Sequence, residues 1–265
     1  MSATILPLTA LLALIPATIV PFRRTPARDT VFWSTLAVAI LGTLVWIVVR
    51  QSSGWHTGIS TALWLTILAC LLLFGVLAGA TVDGWRIMPL LFPYLLALGV
   101  LATLWGQSPE RPLPSGAPLA WIGSHIAVSV ATYGLITLAA VAALAAAMQD
   151  KALKTKQRTR LSQILPSVTG SERLLVRLLI TSAVILALGF ITGIATQFFT
   201  TGEMIVFDHK TLFTMAVFVV VVVLLMLHYR SGIRGKTATR LVLLAYLLLT
   251  LGYPGVKFVT DIILG

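Results

Sequence analysis

The sequence has one cysteine, four histidines and eight acidic residues among its 265 positions. Each scarcity removes a class of function. With Cys70 alone there is no disulfide framework, no Cys-x-x-Cys redox pair and no Cys-x-x-Cys-His for covalent heme. The chain is therefore neither a thiol oxidoreductase nor itself a c-type cytochrome. The acids are Asp29, Asp83, Glu110, Asp150, Glu172, Glu203, Asp208 and Asp261, and none falls in the middle of an apolar run. Proton- or sodium-coupled transport ordinarily needs an intramembrane carboxylate, so that class has no support. Paired carboxylates, a Walker loop and a His-x-x-x-His pattern are also missing, and with them any basis for hydrolytic or zinc chemistry.

What the chain has in excess is apolar sequence. Apolar residues make up 58 % and charged residues 10 %, at a mean hydropathy of +0.99. A globular domain carries about 25 % charged residues. The run Ala216–Leu227 contains no polar side chain, and His228 follows it directly. At roughly 20 residues per crossing, eight spans are expected, near 4–21, 30–49, 60–80, 87–106, 120–148, 178–199, 211–228 and 240–262. The fold class is all-α, a polytopic membrane bundle. No Lys or Arg precedes the first apolar run, and Arg23, Arg24 and Arg28 follow it, so it reads as a span and not as an ordinary signal peptide.

The net charge of +11 is distributed as topology, not as a phosphate-binding face. Fifteen Lys and Arg fall in one set of loops, and four (Arg50, Arg111, Lys210, Lys257) in the other. Positive-inside orientation then puts both termini outside, on the periplasmic side if the membrane is a bacterial inner membrane. The expected partner of the basic stretch 149–177, read as the longest loop, is anionic lipid and no nucleic acid. The Pro-rich segment 107–119 is the one natural division. It separates a four-span bundle over 1–106 from a second over 107–265, the two packed as one membrane domain.

Histidines carry what chemistry is available. His125 lies a few residues inside the outer end of span five. Ser129 and Thr132 follow it at i+4 and i+7 with Tyr133 beside them, so a polar stripe on an apolar helix faces protein. The imidazole is either an axial heme ligand or a packing histidine bonded to a backbone carbonyl. His228 has the same first reading; otherwise it reaches interfacial water beside Tyr229 and Arg230. The two lie on spans that run the same way, at depths differing by roughly 20 Å for a 1.5 Å rise per residue, so they do not share an iron. His56, beside Trp55, and His209, at the outer start of span seven, read as solvated. Gly189-x-x-x-Gly193 reads as a helix-packing signal.

Taken in order, several segments resemble the cytochrome c assembly family of polytopic membrane proteins. They are Ser124-His-Ile-Ala-Val-Ser-Val-Ala-Thr-Tyr133, Leu165-Pro-Ser-Val-Thr-Gly-Ser-Glu-Arg173, Gly189-Phe-Ile-Thr-Gly193, Asp208-His-Lys210 and His228-Tyr-Arg-Ser-Gly-Ile-Arg-Gly-Lys-Thr-Ala238. The ending Gly252-Tyr-Pro-Gly-Val-Lys-Phe258 is similar to the short YpjD-like branch, related to the HemX-like proteins. The resemblance spans about 60–262. It implies a bacterial inner-membrane protein that handles heme b. By position it implies His125 as an outer-side ligand to the heme iron and His228 as a second residue concerned with heme. The heme-delivering members carry a Trp-rich motif before Asp-x-Lys and another outer histidine near the last span. Here those regions read Thr200-Thr-Gly-Glu-Met-Ile-Val-Phe-Asp208 and Gly252-Tyr-Pro-Gly255. The expectation is thus heme binding without the full heme-delivery site, with His209 as candidate second ligand and water or nothing as alternatives. The other reading is a heme-free scaffold or regulatory subunit acting through membrane or periplasmic protein partners.

Overall fold

The computed structural model describes residues 2–23, 27–52, 54, 56–108, 111–112, 118–157, 159–202, 209–233 and 235–259; at 2–4, 56–57, 111–112 and 209–210 the description covers the main chain only. The chain forms α1 (Ser2–Arg23), α2 (Thr30–Gln51), α3 (Ile59–Ala80), a 3-10 turn (Gly84–Ile87), α4 (Met88–Leu104), α5 (Leu119–Thr155), α6 (Arg160–Ile164), α7 (Val168–Thr201), α8 (His209–Ser231) and α9 (Gly235–Thr250). A π-helical turn (Leu251–Gly255) then leads into α10 (Val256–Phe258). Among the described residues eight helices are long and apolar enough to cross a membrane, so the all-α, eight-span expectation holds. Two-residue strands β1 (His56–Thr57) and β2 (Arg111–Pro112) pair antiparallel and tie the loop after α2 to the loop after α4.

Caps and charges fix the ends. Asp29 Oδ1 accepts a hydrogen bond from Phe32 N at 3.0 Å and starts α2. Its neighbour Arg28 donates from Nη1 to Ala78 O at 2.8 Å, placing a cation at the C-terminus of α3, where the helix dipole favours it.

The stretch 149–177, expected as a loop, is mostly helix. α5 runs on to Thr155, α6 follows, and α7 already begins at Val168. No Gly or Pro interrupts 149–157, and Gln149, Lys151, Ala152, Leu153 and Lys154 are good helix formers. Lys154 pairs with Asp150 one turn back at 2.6 Å. Thr159 and Ser167 cap α6 and α7. Gln149 Nε2 donates to Ser162 O and Leu165 O at 2.7 and 3.1 Å, which folds α6 back along the end of α5. At 1.5 Å per residue, the 37 residues of α5 are about 55 Å long, well beyond a hydrocarbon core of about 30 Å.

α5 is the central span. Of its apolar window 72 % is buried, against 17 % for α8. Alanines 139, 140, 142, 143, 145 and 146 are all buried on it, and small residues let neighbouring helices approach closely. Gly134 shows the same need: a Cβ there would stand 2.8 Å from Leu73 Cδ1 of α3. α5 packs along α7 and also against α3 and α9, within one apolar cluster that extends from Ala10 on α1 to Leu249 on α9. Outward faces carry residues such as Val76 and Val219, 69 % and 56 % exposed. A lipid-facing surface requires such residues.

Candidate functional site

The polar stripe of α5 opens into a cavity. His125, Ser129, Thr132 and Tyr133 line it together with α7, α8 and the segment that continues α9. Its volume is about 280 Å³, near the lower end for ligand pockets. The walls are mostly apolar, with Leu186 from α7, Phe213 from α8 and Leu249 from α9. Thr132 Oγ1 is buried and has no hydrogen-bond partner among the described residues. Such an atom costs about 1–3 kcal/mol unless something satisfies it, and an orphan beside a cavity marks a place for a ligand atom or a water.

His125 is held by α7. Its Nδ1 lies 3.2 Å from Thr192 Oγ1. Thr192 Oγ1 has a single hydrogen, which it directs to the carbonyls of Leu188 and Gly189, both at 3.1 Å. With that hydrogen on either carbonyl, Thr192 Oγ1 accepts from Nδ1–H of His125. The backbone of Gly189 on the same helix also bonds the ring, and in the tautomer with Nδ1–H donating to Thr192, Nε2 is the nitrogen with a free lone pair. The ring rests against Gly193, where a Cβ would come within 3.1 Å of Cε1. Gly193, the second glycine of the Gly189-x-x-x-Gly193 spacing legible as a packing signal, thus seats this imidazole. One turn before His125, Trp121 stacks on Phe199, with ring centroids 6.4 Å apart and planes 29° off parallel.

Tyrosines build the other end of the cavity. Tyr133 OH lies 3.1 Å from Thr250 Oγ1 and 3.4 Å from Tyr246 OH, and Tyr246 OH is hydrogen-bonded to Tyr94 OH of α4. Tyr253, from the π turn, lies with its ring centroid 6.4 Å from that of Tyr133. Four of the five tyrosines in the chain meet here. Gly252 admits the close approach of α8, since a Cβ there would stand 2.7 Å from Phe213 Cβ.

His228 has a different setting. Its Nδ1–H donates to Ile233 O at 3.2 Å. Around it the chain leaves α8 through Gly232 at φ +63°, with Gly232 N bonded to His228 O and Ile233 N to Leu227 O. The space beside the ring, bordered by Glu172 and Thr239, measures about 10 Å³, room for about one water. Thr192, which touches His125, and Val176, beside His228, are sixteen residues apart on α7, about 24 Å along a helix. The two histidines occupy separate sites. His209 opens α8 one turn before Phe213, at the cavity's end of that helix. The side chains of His209 and His56, and all of Asp208, lie outside the described residues.

Residues 29–264 match the family described as cytochrome C assembly protein. The chain belongs to the cytochrome c assembly family. A relative described as an uncharacterized 28.8 kDa protein in the nifR3-like 5' region of Azospirillum brasilense is 51 % identical over 263 residues, 97 % of each chain. Inner membrane protein YpjD of Escherichia coli K12 is 26 % identical over 182 residues, 68 % of this chain and 66 % of that protein. The cytochrome c assembly family is associated with heme, so its polytopic frame and the cavity at His125 bear on the same question. The roles of two cavity residues, and of the threonine that bonds His125, escaped the sequence reading. Thr192 looked like any helical threonine, Tyr253 like part of a terminal motif, and Lys257 like one of four charges on the sparsely charged side. For Thr192 a signal was present, its place inside the Gly-x-x-x-Gly spacing.

Proposed function

We propose that this protein is a multi-pass protein of the bacterial inner membrane, both termini on the periplasmic side, that binds heme b in the His125 cavity. The observation that supports the reading is the position of His125, hydrogen-bonded to Thr192 and lining an apolar cavity; with Nδ1–H as the donor, Nε2 is unprotonated. Among the described residues no group of three or more His, Cys, Asp or Glu side chains comes together. A lone imidazole suits heme, which brings four nitrogens of its own, better than a bare ion. An engineered apolar cavity of about 150 Å³ holds benzene, so 280 Å³ accepts part of a tetrapyrrole. The Trp121–Phe199 stack, one turn before His125, would offer apolar surface to the remainder. Bound heme would supply a one-electron redox centre; the chain supplies the ligand, its tautomer and the dry walls. His209 is the candidate second ligand, from the cavity's end of α8, with water or no ligand as alternatives. His228, hydrogen-bonded to Ile233 O with room for about one water beside it, takes a structural part.

The test is the Soret band of the full-length protein, produced with ample heme and purified. His125→Ala is expected to insert, to fold and to lose most of the bound heme, with partial recovery on adding imidazole; His209→Ala loses less. A wild-type protein without a Soret band, or a His125→Ala protein that keeps it whole, replaces this reading with a packing histidine in a heme-free scaffold.

A further inference from the structure

Four helical walls enclose the His125 cavity: α5, α7, α8 and α9 with its continuation. Three of the seams between them are pinned. α5 packs along α7, with His125 bonded to Thr192. α5 is tied to α9 where Tyr133 OH lies 3.1 Å from Thr250 Oγ1 and where Thr239 Oγ1 lies 3.3 Å from Ala143 O. α8 rests mainly on α9, and Gly252, in the turn that continues α9, admits Phe213 of α8. The fourth seam is looser. α7 touches α8 far less than it touches α5. Beside the cavity, Phe190 of α7 meets Phe218 of α8 edge-on, with ring centroids 5.6 Å apart and planes at 86°. Phe190 follows the lining residue Gly189, and Phe218 lies one turn after the lining residue Thr214. An edge-on ring contact adds only modestly to the area it buries, and the rings can part without breaking a hydrogen bond between them.

This seam lies at lipid depth. Tryptophan gathers at membrane surfaces, and Trp121 stacks on Phe199 at one end of α5 and α7. From Phe199, Phe190 is nine residues along α7 and Leu186 thirteen, about 14 and 20 Å. Phe218 is nine residues from the start of α8, again about 14 Å. A hydrocarbon core is about 30 Å thick, so the Phe190–Phe218 contact and the cavity behind it sit among acyl chains and not among headgroups. Ile191 on α7 and Met215 and Val219 on α8, sequence neighbours of the contact, are exposed, as residues facing lipid must be. An opening between these two helices therefore leads into the bilayer. We propose that the α7–α8 seam is a lateral gate, latched by Phe190 and Phe218, through which the cavity exchanges its ligand with the membrane. The inference rests on the heme reading above and adds a source to it: heme dissolved in the bilayer, an amphipathic ring that reaches His125 without crossing water. A gate acts on entry and exit alike, and affinity stays with the site behind it.

A latch is tested by holding it shut. Phe190→Cys and Phe218→Cys are combined in the full-length chain and joined by a reducible bifunctional thiol reagent; Cys70, the native cysteine, is buried. The cross-linked, heme-free protein is placed in nanodiscs whose lipid carries heme. It is expected to show no Soret band of the bound form until a reductant cleaves the link, and then to fill. Loaded first and cross-linked afterwards, it should keep its heme against an excess of heme-free vesicles and release it on cleavage. Phe190→Ala and Phe218→Ala, made singly, should speed loading and release by the same factor, about two- to tenfold for one aromatic contact, with affinity unchanged. If the cross-linked protein fills as fast as the cleaved one, heme enters elsewhere, and the gate is overturned while the His125 site stands. Alanine variants that lose affinity without faster exchange overturn it too, since the ring pair then only holds helices together. Should the double-cysteine chain fail to fold, the alanine variants decide alone. A wild-type protein that takes up no heme from these nanodiscs overturns the heme reading, and the gate falls with it.

Discussion

Replacing Gly193 by alanine tests whether the Gly-x-x-x-Gly face of α7 seats the imidazole or only packs helices. The added Cβ would stand 3.1 Å from Cε1 and 3.5 Å from Nδ1 of His125. That is inside ordinary van der Waals contact, so ring or helix must yield by a few tenths of an ångström. Overpacking of this kind costs about 1–3 kcal/mol. The softest response is to tilt the ring away from α7, which lengthens the 3.2 Å bond to Thr192 Oγ1. If that cost falls on the ligand-bound geometry, heme affinity drops by about 5- to 150-fold at 1.4 kcal/mol per decade. Gly189→Ala is the internal control. It lies one turn away on the same helix, yet its Cβ would meet Val128 Cγ1 at 3.4 Å, an ordinary contact, and would not touch the ring. Soret titrations of the two variants, with thermal unfolding measured on the same samples, give the comparison. Gly193→Ala should lose heme with a smaller loss of stability, and Gly189→Ala should lose little of either. Equal heme loss in both variants, or a Gly193→Ala protein that binds as wild type, would refute the seating argument.

Removing the His228 ring should lower thermal stability by about 1 kcal/mol, the worth of one hydrogen bond to Ile233 O, and leave the Soret band intact; heme loss in purified, folded His228→Ala would return that histidine to the ligand set. Reporter fusions test the orientation: from the fifteen-to-four charge count, a phosphatase fused after Gly265 should be active in the periplasm, and one fused within 156–160 should not.

Much of this architecture is legible in the sequence, because lipid simplifies the physics. A span must be apolar along its whole length and satisfy its own backbone, so hydropathy finds the eight that the described residues contain. The α5 stripe was equally visible. On a helix otherwise apolar, His125, Ser129, Thr132 and Tyr133 repeat with helical period, and they do line one cavity. What hydropathy hides is where helix continues outside the membrane. Residues 149–155 and 168–177 are polar enough to read as loop, yet their propensity and caps keep them helical. Side-chain direction after Thr250 was also hidden. A period of 3.6 applied through Leu251–Gly255 turns Lys257 away from Leu249, and only the π turn brings them to one face.

The tyrosine cluster shows what the N-terminal spans contribute. Among the described residues, none that lines the cavity comes from α1–α4. Yet Tyr94 of α4 reaches Tyr246 of α9, whose hydroxyl in turn faces Tyr133 of the cavity wall. A hydroxyl in an apolar bundle costs free energy unless paired, so these groups are stable only when α4, α5 and α9 are all in register. Tyr133, one of the cavity's own residues, is thereby fixed by a helix that never touches the ligand space. The α3–α5 contact at Gly134, one residue further on, acts in the same direction, since α5 can lie that close to Leu73 only without a Cβ. A ligand site made from one lone histidine depends on how rigidly its helix is held. In this chain that rigidity comes from α3 and α4 on one flank of α5 and from α7 on the other, where Thr192 and Gly193 grip the ring.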